Sequence, residues 1–402
     1  MNGATLPLIV GAGPVGLGAA LFLRKAGVAT RIIEAAEKPS DHSRALAANP
    51  RTLELLEASG VTKKMLAMGV RIRGVRLRLG TKQAGWFSLN ALKHRYPFML
   101  ALSQAATERL LTEALEAAGG KVERGTKLIG CHYMEGRVEA ELQRSGGEAL
   151  ETVRCPWLLA ADGAHSMVRS ALSLKFNGSS FEKPWYLADV PLVTTLEENL
   201  AHVFFPDEGG FVFLLRVVDP SSEKRGPKLW RVISNLPNAV EQVTQAKVAG
   251  PPVWASEFHI SHRMNERMML GNAYFAGDAA HIHSPMGARG MNLGLEDAWV
   301  FSRLVQSGQM ASYERLRKDC DYRVVKRVEV LSRTVLAESF AVRIGRKLFI
   351  TSLAKLPFIR NKFLTAVTGL DHPLDLEEGE GPVAAESGEH GIFHSRADRH
   401  AH

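Results

Sequence analysis

One short segment narrows the possible folds more than any other. The apolar run Leu6–Val10 passes straight into Gly11-Ala12-Gly13-Pro14-Val15-Gly16. Pro14 suits the first turn of a helix, because its fixed φ is helical and its missing N–H would be unbonded there anyway. Gly27 closes that helix, and Val28–Ile33 is a second β-rich run ending at Glu34. Strand, glycine turn, helix and strand within about 30 residues is the unit that binds dinucleotides. Glycines let the backbone approach a pyrophosphate, and the helix start offers unbonded N–H groups and a positive dipole end. Glu34 follows Gly16 by 18 residues, where a carboxylate accepts hydrogen bonds from the adenosine ribose. Gly11, Gly13, Pro14, Val15, Gly16, Glu34 and the adjoining Ala35 are therefore the expected dinucleotide contacts. The competing reading is a tight turn with a solvated strand end. By itself this unit does not separate NAD from FAD.

The downstream pattern is that of a larger molecule. Asn49-Pro50 reads as the cap and first turn of a helix over Arg51–Ser59, stopped by Gly60. Residues 70–79 alternate, with Val70 and Ile72 opposite Arg71 and Arg73, until Gly74 breaks the phase before Val75, Leu77 and Leu79. One bulged strand is expected there. Ser103 caps a helix to Ala118 whose buried stripe is Leu110, Leu111, Ala114 and Leu115. Leu128–Leu142 reads as a hairpin about Glu135-Gly136, and Thr152–Ala160 as a strand leading to Asp162-Gly163. Residues 185–236 are strand-rich, with a hairpin turn at Pro206–Gly210, and from Asn292 the period is helical to about residue 366. Two strand-rich excursions, about 70–100 and 175–265, thus interrupt a nucleotide-binding α/β core.

Composition excludes several classes. The chain has 402 residues, 46% hydrophobic and 23% charged, an ordinary globular mix. A net charge of +8 suits anionic dinucleotides, nucleic acid or an anionic membrane equally. Cys131, Cys155 and Cys320 are scattered without a CxxC pair. That argues against a disulfide framework and a Cys-built zinc site, so no metal is expected, and it fits a reducing cytoplasm. No apolar run reaches about 18 residues, so no membrane span is expected, and no cleavable signal peptide is visible ahead of the first strand. Residues 323–362 carry ten basic residues against Glu329 and Glu338. A helix packed on the core with a solvated basic face is expected, weak peripheral contact with an anionic membrane being the sharper alternative. Residues 371–402 are polar, and disorder is expected of them.

A second motif separates the cofactors. The apolar strand at Tyr274 and Phe275 runs into Gly277-Asp278-Ala279-Ala280-His281, then into Pro285-Met286-Gly287-Ala288-Arg289-Gly290-Met291-Asn292 and a helix. A third, Asp162-Gly163-Ala164-His165-Ser166-Met167-Val168-Arg169, lies between the first two. In this order the three motifs resemble the class A FAD-dependent monooxygenases, the para-hydroxybenzoate hydroxylase-like family of aromatic-ring hydroxylases. The likeness spans roughly residues 6–305. It implies that Asp278, with Gly277, holds the ribityl chain of a non-covalent FAD, and that the loop through Gly287, Gly290, Met291 and Asn292 wraps the pyrimidine side of its ring. Reduced flavin is anionic there, so backbone N–H groups at a helix start suit it. By the same resemblance Asp162 contributes to FAD binding, His165 and Arg169 engage NADPH or NADH, Arg44 pairs with the pyrophosphate, and Gln104 adds a contact. The alternatives for Arg44 and Gln104 are an ordinary surface arginine and an exposed helix-start glutamine.

The fold implied is α/β: a Rossmann-like FAD-binding domain (1–70, 101–174 and 266–370, with C-terminal helices) and an interleaved β-sheet substrate domain (71–100 and 175–265). The activity implied is NAD(P)H-driven hydroxylation of a phenolic or polyketide-like ring by O2 through a flavin C4a-hydroperoxide, in a cytoplasmic monomer or homodimer with no nucleic-acid partner. His259–Met264 looks most like the phenol and polyketide hydroxylase branch. Action on a quinone or isoprenoid is the alternative, and a non-catalytic FAD-fold binding protein a more distant one. No second GxGxxG is present, against a separate NADPH-binding Rossmann domain. Pro285, Gly287 and His283 are the expected catalytic positions. Tyr186, His202, His281 and His283 are candidates to deprotonate a phenol, each with a packing role as its competing reading.

Overall fold

The computed structural model describes residues 6–39, 47–80, 82–207, 209–218, 227–336, 345 and 356–374. At its centre Leu8–Val10 pairs in parallel with Arg31–Glu34 on one side and Leu158–Ala160 on the other. With Val122–Arg124, Ala273–Phe275 and Met269–Leu270 these make a six-stranded sheet, parallel except for the last strand. A parallel sheet must be covered on both faces, and Leu8, Ile9, Ile32, Ile33, Leu158 and Leu159 are accordingly buried. Helix α1 (Pro14–Lys25) buries Leu17, Ala20 and Leu21. A Cβ at its Gly18 would stand 2.5 Å from Leu295 Cδ2 of the long helix Gly290–Ser307, so Gly18 permits the close approach of the two helices.

A nine-stranded sheet stands beside this core. Its spine is the 19-residue strand Phe176–Thr194, which pairs antiparallel with Trp254–Asn265 and Leu229–Ser234. The register shifts between Ser180 and Pro184, where proline cannot donate to the ladder. The two faces bury separate apolar clusters. Trp185, Leu187, Phe211, Leu215, Ile233 and Ile260 pack on the face that meets Met286 and Ala288. Val190, Leu192, Phe204, Leu214 and Trp230 pack on the other.

Three local expectations are corrected. Residues 70–79 form two strands, Val70–Ile72 and Gly74–Leu79, in different sheets. The chain leaves the ladder at Arg73, whose N–H donates to the Asn199 carbonyl and whose carbonyl accepts from Leu89. Residues 152–160 likewise split into Leu150–Cys155 and Leu158–Ala160, because Pro156 has no N–H to continue a strand. The helix after Asn49 stops at Leu55; a 3-10 turn, Glu57–Ser59, and left-handed Gly60 (φ 79°) then start Val61–Met68.

The C-terminal pattern gives Gly290–Ser307, Tyr313–Leu336 and Pro357–Thr368 as helices. Most of the basic segment between the last two, and the tail from 375, lie outside the described residues. Among the described residues no helix is long and apolar enough to cross a membrane. All three cysteines are free and buried.

Candidate active site

The first glycine turn divides its work. Gly11 (φ +100°) runs so close to the neighbouring strand that a Cβ would lie 2.4 Å from the Ala161 carbonyl oxygen. At Gly16 a Cβ would lie 1.9 Å from the Gly11 oxygen. Both are glycine because the turn folds onto itself there. Gly13 is different: a Cβ would meet nothing within 4 Å, and no side chain caps the helix it begins. The open space over Gly13 therefore borders unbonded N–H groups at a helix start, a cradle for a phosphate. Glu34 closes one side, its carboxylate accepting from Ala12 N at 2.8 Å and Ala36 N at 2.9 Å. Those two bonds aim it beside the turn and leave lone pairs for a ribose.

The second segment enters through the sheet. Ala161 N donates to the Val10 carbonyl, which brings Asp162 against Gly11. Asp162 Oδ2 accepts from Met167 N (2.7 Å) and Val168 N (3.2 Å) and starts the short helix Met167–Ala171. Its Oδ1 is buried with no hydrogen-bond partner among the described residues, and burial raises its carboxyl pKa above the ordinary value. A buried carboxylate oxygen left this way calls for a donor, such as a ligand hydroxyl. Arg169 is buried; it donates to the Ala279 (3.2 Å) and Ala164 (2.6 Å) carbonyls and lies over the Phe176 ring. That makes Arg169 a brace between two turns, while His165 stands exposed.

The third segment meets the first through Gly277 (φ +58°), where a Cβ would lie 2.8 Å from Val15 Cγ2. Gly294 comes as close, a Cβ there reaching 2.5 Å from the same methyl. Asp278 is exposed beside this junction. The loop after it turns through left-handed Gly287 (φ 78°) and Ala288 (φ 51°); a non-glycine residue there stores local strain. Gly290 begins the long helix, with Met291 partly buried against the core.

Asn292 corrects the simple picture of a helix start facing a ligand. Its Oδ1 accepts from Asn49 N (2.9 Å) and Thr52 Oγ1 (2.7 Å), and its Nδ2 donates to the Ala47 and Ala288 carbonyls. The side chain is spent tying the loop to residues 47–52. Replacing Asn292 with Ala strands several buried polar groups and is expected to cost about 2–4 kcal/mol in urea unfolding. A loss under about 0.5 kcal/mol would show that the clamp is idle. Gln104 is the first residue of its helix, and its Nε2 donates to Glu108 Oε1 at 2.8 Å. Arg44 lies outside the described residues.

Of the four proton-acceptor candidates, three point away from this junction. Tyr186 shares the alternation of Ala188, Val190 and Leu192, and His202 that of Phe204, so both look toward the far cluster. His202 packs near Trp230, bonds the Glu197 carbonyl, and burial holds its imidazole below the usual value. His281 is 1% exposed, its Nε2 2.8 Å from Asp297 Oδ2. Only His283 stays at the loop, within reach of Gly290.

His281 belongs to a buried network that the sequence reading missed. Asp297 Oδ2 also accepts from Gly277 N at 2.9 Å, and its Oδ1 accepts from Arg317 Nε at 2.6 Å. Arg317 Nη2 reaches Asp321 Oδ1 at 2.6 Å. Both acids are fully buried. Ligand-type atoms of His281, Asp297 and Asp321 lie within 4.8 Å of one another, but the Arg317 guanidinium already supplies the cation there. The network instead fixes Gly277 from behind. The only sequence signs were Glu296-Asp297 inside an apolar helical run and an i,i+4 Arg317/Asp321 pair.

Open space over Gly13, an uncapped helix, an unpartnered Asp162 oxygen and exposed Asp278 are brought to one region, and they fit a bound dinucleotide such as FAD. The comparisons agree. A family profile described as FAD binding domain matches residues 5–318. The 6-methylpretetramide 4-monooxygenase of Streptomyces rimosus is 37% identical over 306 residues, 73% of this chain and 54% of that protein. Pentachlorophenol 4-monooxygenase of Sphingobium chlorophenolicum is 31% identical over 311 residues, 73% of this chain and 56% of that protein. The chain thus spans a little over half the length of these curated relatives. Among solved structures, p-nitrophenol 4-monooxygenase PnpA from Pseudomonas putida shares the fold, with a TM-score of 0.79 at 22% identity over 92% of this chain and 98% of that one.

Proposed function

Because the chain belongs to the FAD binding domain family, we propose that it is an FAD-dependent monooxygenase. It would take electrons from NADPH or NADH and hydroxylate a phenolic or polyketide-like ring with O2. The observation that supports this best is the meeting of three distant segments: Gly11 against Asp162, and Val15 against Gly277. The relatives' names point the same way, one a pentachlorophenol and one a 6-methylpretetramide monooxygenase. FAD supplies the hydride acceptance and O2 activation; the chain binds, orients and shields.

In this reading the cradle at Gly13, with Gly11, Pro14, Val15 and Gly16, takes the pyrophosphate, Glu34 and Ala35 the adenosine ribose, and Asp162 and Asp278 hydroxyls of the cofactor. Gln104 and Arg44 add contacts. Backbone N–H groups from Gly287 to Asn292 stabilise negative charge on the pyrimidine edge. Pro285, Gly287 and His283 face the reacting side, and exposed His165 receives the nicotinamide cofactor on the turn that buried Arg169 braces from behind. Residues 1–70, 101–174 and 266–370 would form the FAD domain, and 71–100 with 175–265 the substrate domain. Three free, buried cysteines suit a reducing cytoplasm; we place the protein there as a monomer or homodimer.

The test is a screen of phenols against the purified FAD-loaded protein. A phenol that speeds NAD(P)H oxidation with matched O2 uptake and a hydroxylated product supports the proposal. A flavin-free protein, or one whose NAD(P)H oxidation responds to no phenol, rejects it.

A further inference from the structure

Two histidines that flank Ser284 carry unused hydrogen-bonding atoms of opposite kind. Trp254–Asn265 and His281–Ile282 pair antiparallel, with Arg263 opposite Ile282 and Met264 opposite His281. Continuing that register by one residue sets His262 opposite His283, on one face and in side-chain reach. Ser284 joins them. Its N–H donates to His262 Nε2 (3.4 Å), and its carbonyl accepts from His283 Nδ1 (2.8 Å).

These two bonds fix the tautomers. His283 must carry its proton on Nδ1, because a carbonyl cannot donate, which leaves Nε2 as a bare acceptor. His262 accepts at Nε2, so its neutral ring carries the proton on Nδ1. Both remaining atoms, His262 Nδ1 and His283 Nε2, are buried without a hydrogen-bond partner among the described residues. Burial keeps both rings uncharged, pushing His262 down to about 4 and His283 down to about 3. Glu329, Arg333 and Lys326 face His262 from helix Tyr313–Leu336, and His281, Arg289 and His262 face His283. None of them satisfies the two free atoms.

The pair also borders the expected reaction space. His262 is 3% exposed and meets the Phe181 ring at 5.4 Å between centroids. Phe181 packs on the same apolar cluster as Met286 and Ala288 of the flavin-side loop. His283 Cε1 lies 3.9 Å from where a Cβ of Gly290 would stand. A donor and an acceptor together match one hydroxyl, which both accepts and donates; a ring ether can only accept.

We propose that His262 and His283 form a two-point clamp for a single phenolic hydroxyl, its oxygen accepting from His262 Nδ1 and its hydrogen donated to His283 Nε2. The clamp rests on the monooxygenase reading and deepens it: the substrate is held as a neutral phenol, and methylation of that oxygen costs affinity.

The experiment uses the FAD-loaded protein without nicotinamide and follows flavin absorbance as 2-naphthol or its methyl ether is added. The wild type is expected to bind the naphthol about tenfold more tightly than the ether. His283→Phe, which removes the acceptor that only a hydroxyl can use, should erase most of that preference, whereas His262→Phe, which removes the N–H that both oxygens accept from, should weaken naphthol and ether alike. His262→Asn, which keeps an N–H near the same place, should regain part of that binding, and His283→Asn, whose amide oxygen keeps an acceptor, part of the preference, which keeps the test open should a phenylalanine variant fail to fold. Equal wild-type affinities, no naphthol binding, an undiminished preference in His283→Phe or unweakened binding in His262→Phe overturns the clamp. If phenols still drive NAD(P)H oxidation in that case, the monooxygenase reading survives the clamp's failure.

Discussion

The Gly13→Val protein is expected to fold and to emerge without FAD. Gly13 has ordinary extended angles (φ −71°, ψ −177°), and a Cβ there meets nothing within 4 Å. Valine therefore strains nothing in the empty protein and costs about 1 kcal/mol as a poor helix cap. Its methyls would instead fill the space a pyrophosphate needs, and losing those contacts is worth roughly 3 kcal/mol or more, a hundredfold or greater loss in affinity. Heat-released FAD per chain measures the loss, and thermal unfolding of the flavin-free proteins measures the fold. Gly16→Val is the contrast: its Cβ would overlap the Gly11 carbonyl, so stability should fail along with binding. A Gly13→Val protein that keeps its full flavin would place the cofactor elsewhere.

The second large effect concerns stability. Arg317→Met is expected to lower unfolding free energy by about 3–5 kcal/mol, because it removes the cation between two fully buried acids. Burial alone would push Asp297 up, but Arg317 and His281 hold it down to about 2. Burial drives the Asp321 carboxyl upward despite Arg317. In the wild type, Asp297 thus contributes stability that is present above its ordinary 3.8 and lost as pH falls toward about 2. Without Arg317 both carboxyls titrate upward, and the sign reverses: the variant should recover part of its loss toward mildly acidic pH, where protons replace the missing cation. Urea unfolding at several pH values checks both points. A loss below about 1 kcal/mol, or none of that recovery, would mean that the network is not a charge cluster in solution.

The parts of this molecule that were legible in sequence are those where local geometry demands a residue type. Gly11 and Gly16 are forced by close backbone approaches, Gly277 by its left-handed φ against the Val15 side chain, and Asn49, Pro14 and Ser103 by helix starts. Those positions announce themselves one at a time. The break at Arg73 was hidden because its cause is a hydrogen bond to Asn199, far along the chain. The Asp297–Arg317–Asp321–His281 network was hidden for the same reason: each member looks like an ordinary helical charge or a loop histidine until α-helical and loop segments meet. His262 lay inside an alternating strand, and only the register with the following segment sets it beside His283. Asn292 was found, but its side chain serves Asn49 and Thr52, which periodicity cannot reveal.

The most direct measurement is diffraction from crystals of the FAD-loaded protein. The expected density shows pyrophosphate over Gly13, the adenosine ribose at Glu34, a cofactor hydroxyl on Asp162 Oδ1, and the ring against the backbone of 287–292. Electron density for the cofactor in any other cleft, or an isoalloxazine far from Gly290, would contradict it.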